Sequence, residues 1–117
     1  MLRAFSLFLI LFTFSCKSQD CETIETSFSS HQEATQVISN TNFNLSDDVN
    51  TSKSSWIRIA KYYSCDEKLG FLIIGTDKKG YLFQDVPIEV WKGFKHADSF
   101  GKYYNNYIRG GYQLKLN

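Results

Sequence analysis

Leu69-Gly70-Phe71-Leu72-Ile73-Ile74-Gly75 is the stretch that decides how this chain folds. A β-strand sends successive side chains to opposite faces, and Phe71, Leu72, Ile73 and Ile74 are apolar at both parities, so both faces of the strand need covering. One sheet must therefore carry a layer on each side. Upstream, residues 56–63 are rich in aromatic and β-branched types and predict a neighbouring strand, with Ile57 and Ile59 on one face and Arg58 and Ala60 on the other. Residues 64–68 and 76–80 have the composition of turns, and residues 81–84 continue as a further strand. The expected centre is a three-stranded antiparallel β-meander in an α+β fold.

Helical signals flank that meander. Ser30-His31-Gln32-Glu33 fits a capping box, in which the Ser30 hydroxyl accepts from the Glu33 N–H and the Glu33 side chain reaches back to the N–H of Ser30. Ala34, Val37 and Ile38 then recur at helical spacing, and Phe28 can pack at the start of this amphipathic helix. At about nine residues it needs burial against something else to be stable. Residues 46–55 read as a polar loop. Beyond the sheet, Val86-Pro87 predicts a helix with proline at its first position, and Asp98 or Ser99 offers a cap for a second helix stopped by Gly110-Gly111. These two C-terminal helices are expected on one face of the sheet and the Ser30-capped helix on the other. Residues 112–116 alternate and suit a last short strand.

The 117 residues are 43% hydrophobic and 21% charged, a globular composition. Three cysteines are too few for a disulfide scaffold or a four-ligand zinc site. Residues 1–15 carry Arg3 and then an apolar run from Ala4 to Phe12, the length of a signal-peptide core and too short for a membrane span. Thr13-Phe14-Ser15-Cys16 resembles a bacterial lipobox, which implies that Cys16 becomes an acylated N-terminus, carrying chains such as palmitate, and anchors the protein to a membrane. Residues 16–25 would then be a tether, residues 26–50 a helical extension, and residues 51–117 the main domain. Once Cys16 is acylated, Cys21 and Cys65 remain, either as a disulfide worth about 3 to 4 kcal/mol in loop entropy or as two free thiols. Charge is uneven: residues 16–50 carry one lysine against six acids, whereas residues 51–117 carry eleven basic against six acidic residues. Such a split suits either internal pairing or a basic face for an anionic partner.

Val86-Pro87, Trp91, Ala97-Asp98-Ser99-Phe100-Gly101-Lys102-Tyr103-Tyr104-Asn105, Ile108-Arg109 and Tyr112 together resemble the KTSC domain, found at the C-terminus of some lysyl-tRNA synthetases. The resemblance runs over residues 54–112. Tyr81-Leu82-Phe83 stands where the family carries Y-x-Y, and Asp98 stands where proline is frequent. RNA binding is what the synthetase context implies, and it is the alternative function here. Small exported proteins with this domain behind a lipobox resemble nearly the whole chain.

No G-x-S-x-G, H-E-x-x-H or P-loop motif is present, and no cofactor motif, so a non-enzymatic module is expected. His96, Asp98 and Ser99 sit too close in sequence for a triad and suit a helix junction. Cys65, Asp66 and Glu67 form only an isolated turn cluster, so no metal ligands are assigned. Candidate ligand-binding residues are Lys102, Asn105 and Arg109, on one helical stripe, with Tyr81 and Tyr103 as aromatic platforms. Arg109 equally suits the C-terminal end of its helix. The expected role is a lipid-anchored binding module of the cell envelope, favouring the outer membrane, on its periplasmic side or at the surface. Its expected partner is an envelope protein or an anionic glycan.

Overall fold

A computed structural model describes residues 19–117. The lipobox and the expected signal segment lie outside these residues. Within them the fold is α+β, and four antiparallel strands in the order β3-β4-β5-β6 form its centre: β3 Leu45–Asp48, β4 Ile57–Ser64, β5 Leu69–Thr76 and β6 Gly80–Pro87. Strand β5 sends Leu72 and Ile74 into one core and Phe71 and Ile73 into another. The two-layer requirement is met by α2 (Ile88–Lys95) and α3 (Phe100–Tyr103) on the first face and α1 (His31–Ser39) on the second.

The meander is one strand larger than the sequence predicts. β3 lies in the stretch read as a polar loop and pairs with β4, Leu45 opposite Ser64 and Asp48 opposite Lys61. Its alternation is hidden because the second inward position is a carboxylate, Asp47. That carboxylate accepts from the Trp91 indole at 2.9 Å and from the Lys95 ammonium at 2.7 Å, which satisfies polar atoms at the edge of the core. The pair Lys95–Asp47 is the one ion pair between the acidic and basic halves among the described residues.

Strand β4 also differs from simple alternation. Ile57 pairs with Thr76 and Ile59 with Gly75, so Arg58 is the extra residue of a β-bulge. The bulge turns Ile57 and Ala60 inward together and leaves Ile59 46% exposed, the reverse of the strict period-2 expectation. A second bulge in β6 sets Gln84 and Asp85 against Phe71, with Asp85 at φ 58°, and brings Phe83 and Val86 onto one face.

Buried Tyr62 stacks on Trp91 at 5.5 Å and donates to the Val86 carbonyl at 2.7 Å, and burial pushes its phenol up to about 12. Pro87 is the cap of α2 rather than its first helical residue, since it still belongs to β6. At α1 the Ser30 hydroxyl accepts from the Glu33 N–H at 3.0 Å. The Glu33 carboxylate reaches one residue further back than a standard box, to the N–H and hydroxyl of Ser29, and these bonds hold its pKa below the ordinary value.

Residues 19–25, the described part of the stretch expected as a tether, are held to the body of the domain. β1 (Gln19–Asp20) pairs in parallel with β2 (Thr41–Asn42), Cys21 is disulfide-bonded to Cys65 in the β4–β5 turn, and Ile24 packs on the α1-side core. The tail forms bridges rather than a regular strand: Gln113 with Phe83, and Leu116 with Phe28. Gln84, 4% exposed, joins these ends by donating to the Thr26 carbonyl at 2.8 Å and accepting from the Lys115 N–H at 2.8 Å.

Asp47→Ala strands the buried indole N–H and is expected to cost about 1–3 kcal/mol in urea unfolding at neutral pH. The Lys95 ammonium holds the Asp47 carboxyl below its usual value, against the opposing effect of burial. A lowered folded-state pKa stabilises at pH values above the unfolded value of 3.8 and is lost as pH falls through the folded one. The gap between wild type and Asp47→Ala should thus stay constant down to about pH 4 and narrow below it; a gap that widens in acid contradicts this.

Candidate functional site

The five sequence-selected residues do not form one cluster. Tyr81, Asn105 and Arg109 line a groove of about 670 Å³ together with Trp56, Phe83, Tyr104 and Gln113. Lys102 is exposed on α3 and stands outside that lining. Tyr103 faces α2 instead: its ring lies edge-on to Phe94 at 6.1 Å and close to Gly93, where a Cβ would come within 2.8 Å of the ring. The glycine that weakens α2 is therefore the space that Tyr103 occupies.

Three local features shape the groove. Ser99 caps α3 by accepting from the Lys102 N–H at 3.2 Å, which settles the choice between Asp98 and Ser99 and commits the hydroxyl to the backbone. The helix then widens into a π-helix, Tyr104–Ile108, in which the Arg109 N–H donates to the Tyr104 carbonyl five residues back at 2.9 Å. Tyr104 and Ile108 stay buried in this wider turn, while Tyr107 is 60% exposed. Asn105 and Arg109 share the outer side, with Arg109 Nη1 donating to Asn105 Oδ1 at 3.5 Å.

Gly110 then adopts φ +82°, a conformation that suits glycine, and Tyr112 follows at φ 55°. Its carbonyl accepts from the Gln84 N–H at 2.9 Å, which lays the tail along β6 and brings Gln113 to the groove.

The walls are aromatic. Tyr104 meets Trp56 edge-on at 5.6 Å and Phe83 at 6.0 Å, and Tyr81 stands 6.4 Å away. Burial pushes the Tyr104 phenol above its ordinary pKa. The Lys79 ammonium lies 5.0 Å from the Tyr81 ring centre. Arg109 is the charged residue of the lining, and no acid shares it among the described residues.

Trp56, Phe83, Tyr104 and Gln113 complete the groove and are not among the site residues expected from the sequence. The sequence offers Trp56 as the start of a strand, yet β4 begins at Ile57 and frees the indole for the groove. The available signal was Gly101 in the Ala97–Asn105 motif. A Cβ there would lie 2.6 Å from Trp56 Nε1, so the glycine leaves room for the indole. A second cleft beside the disulfide, lined by Phe43, Tyr63, Leu69 and Phe71, holds only about 180 Å³ and contains none of the selected ligand-binding residues. In that turn Asp66 accepts from the Lys68 and Leu69 N–H groups at 2.9 and 3.1 Å, a structural role.

A family model described as KTSC domain matches residues 53–112, about half of the chain, with the groove's lining inside the match except for Gln113. The chain belongs to the KTSC domain family. It matches no curated protein and no solved structure. Gly101→Ala is expected to displace Trp56, lowering stability by about 1–3 kcal/mol and shifting tryptophan emission. Unchanged urea unfolding together with unchanged emission would contradict that packing.

Proposed function

We propose that this member of the KTSC domain family is a non-enzymatic binding module of the cell envelope, anchored through lipid on Cys16, favouring the outer membrane, and taking an anionic glycan in the Trp56–Arg109 groove. The observation that carries the reading is the pairing of one guanidinium, Arg109, with half-exposed aromatic walls, Trp56 and Tyr81, in a lining without acids among the described residues. A guanidinium presents several donors in a plane that matches a carboxylate or sulfate two bonds at a time. Asn105 takes only one long bond from it, so donor capacity remains. Sugar rings offer an apolar face to Trp56 and Tyr81, and the amides of Asn105 and Gln113 suit ring hydroxyls. The π-helix under Asn105 supports the same site, because single π-turns concentrate at functional positions.

The alternative, single-stranded RNA, draws on the same features, since bases stack on aromatics and phosphates pair with Arg109. An exported chain meets little RNA, which favours the glycan. As for catalysis, Ser99 serves as a cap, and His96 ends α2 without a hydroxyl or carboxylate partner among the described bonds. These placements support a binding role.

Titration of residues 19–117 with a sulfated and with a carboxylated oligosaccharide, followed by tryptophan emission, tests the proposal. Binding should weaken with salt and fall about tenfold or more in Arg109→Ala, the loss of a charge-assisted bond, while Lys102→Ala has the smaller effect. Binding indifferent to salt and to Arg109→Ala disposes of the groove as an anion site. Single-stranded polyuridylate bound more tightly than either saccharide would favour the alternative.

A further inference from the structure

Resting on the Cys16 anchor proposed above, we infer that the groove points away from the membrane that holds the protein, so that its ligand comes from the space beyond and not from the headgroups of the anchoring bilayer. Three placements carry this. First, β1 begins at Gln19, three residues after Cys16, and a chain reaches at most about 3.6 Å per residue, so the free reach is on the order of 10 Å. The register of β1 on β2 and the Cys21–Cys65 disulfide fix where that reach starts.

Second, Cys65 follows β4, in the turn where β4 passes into β5, whereas Trp56 immediately precedes β4 and Tyr81 is the second residue of β6. The anchor point and the groove are thus at opposite ends of strands of eight residues, on the order of 25 Å long. Third, they are on opposite faces. Ile24 packs in the core under α1, while Trp56, Tyr81, Phe83 and Tyr104 belong to the core under α2 and α3.

A tether shorter than the strands cannot bring the far end of the opposite face down to the bilayer, even if the body tilts. Charge opposes this placement, since Asp20, Glu22, Glu25, Asp66 and Glu67 are exposed around the attachment and anionic headgroups repel them, so the orientation rests on the short tether and the fold. The ordered strap therefore serves as a spacer and an orienting device.

The test uses the full chain, processed in a bacterial host and reconstituted into phosphatidylcholine vesicles with or without a nitroxide on the headgroup. Trp56 is half-exposed and Trp91 is buried, and Trp56→Phe assigns the emission. Trp56 emission is expected to be unchanged by the headgroup nitroxide yet quenched by iodide in the surrounding solution. Quenching by the nitroxide overturns the orientation. Intact mass on the same preparation separates the two claims: acylated Cys16 with a quenched Trp56 removes the orientation alone. An unmodified Cys16 removes the anchor and the orientation with it.

Discussion

A strand that is apolar on both faces cannot stand at a protein surface, and β5 is such a strand. Leu72 and Ile74 require one cover and Phe71 and Ile73 another, and the chain supplies these from its two ends. The segment after the sheet folds back as α2 and α3; the segment before it contributes Phe28, Ala34 and Ile38 of the second core. Residues 53–112 match the family, yet the strand β3 and the cover over Phe71 both come from before residue 53. Those N-terminal residues belong to the core physically. Phe28 is fully buried, exchanges backbone bonds with Lys115 and Asn117, and lies 6.1 Å from the Phe71 ring.

The groove follows from the same arrangement. Once Trp91 and Phe94 of α2 and Phe100 of α3 are committed to the face of Leu72 and Ile74, the turn that follows α3 must keep Tyr104 and Ile108 inward as a π-helix. The outward side of that turn is then Asn105 and Arg109, and the exit through Gly110 lays the tail on β6. Trp56 and Tyr81 close the opposite wall because β4 and β6 both begin there. The groove at this end and the Cys21–Cys65 disulfide at the other are separated by the length of the strands.

Much of this was legible in residue types alone. The double-faced character of residues 71–74, the Ser30 cap and the glycine stop at residue 110 are local signals, and the structure places a feature at each. What escaped were features that depend on partners distant in sequence. Asp47 looks like a loop residue until Trp91 and Lys95, more than forty positions away, are brought to it. Period-2 counting cannot register the bulge at Arg58, which exchanges the faces of Ile59 and Ala60. Even spacing of Lys102, Asn105 and Arg109 suggested one stripe, but Tyr81 joins only the last two in the groove. Tyr103, expected as an aromatic platform, packs its ring beside Gly93 and Phe94 of α2, a placement that depends on a partner ten positions away. The disulfide was one of two open readings for Cys21 and Cys65, and the proximity of β1 to the β4–β5 turn selects it.

Cover on one face should therefore be felt on the other, and Phe28→Ala tests this most directly. Phe28 lies under α1, whereas Trp91, which reports by its emission, lies on the opposite side of the sheet. In urea unfolding of residues 19–117, the account predicts a loss of about 3–5 kcal/mol, with the emission transition and the far-ultraviolet dichroism transition moving together. An emission midpoint that stays in place while the dichroism signal shifts would show two independent halves and contradict it.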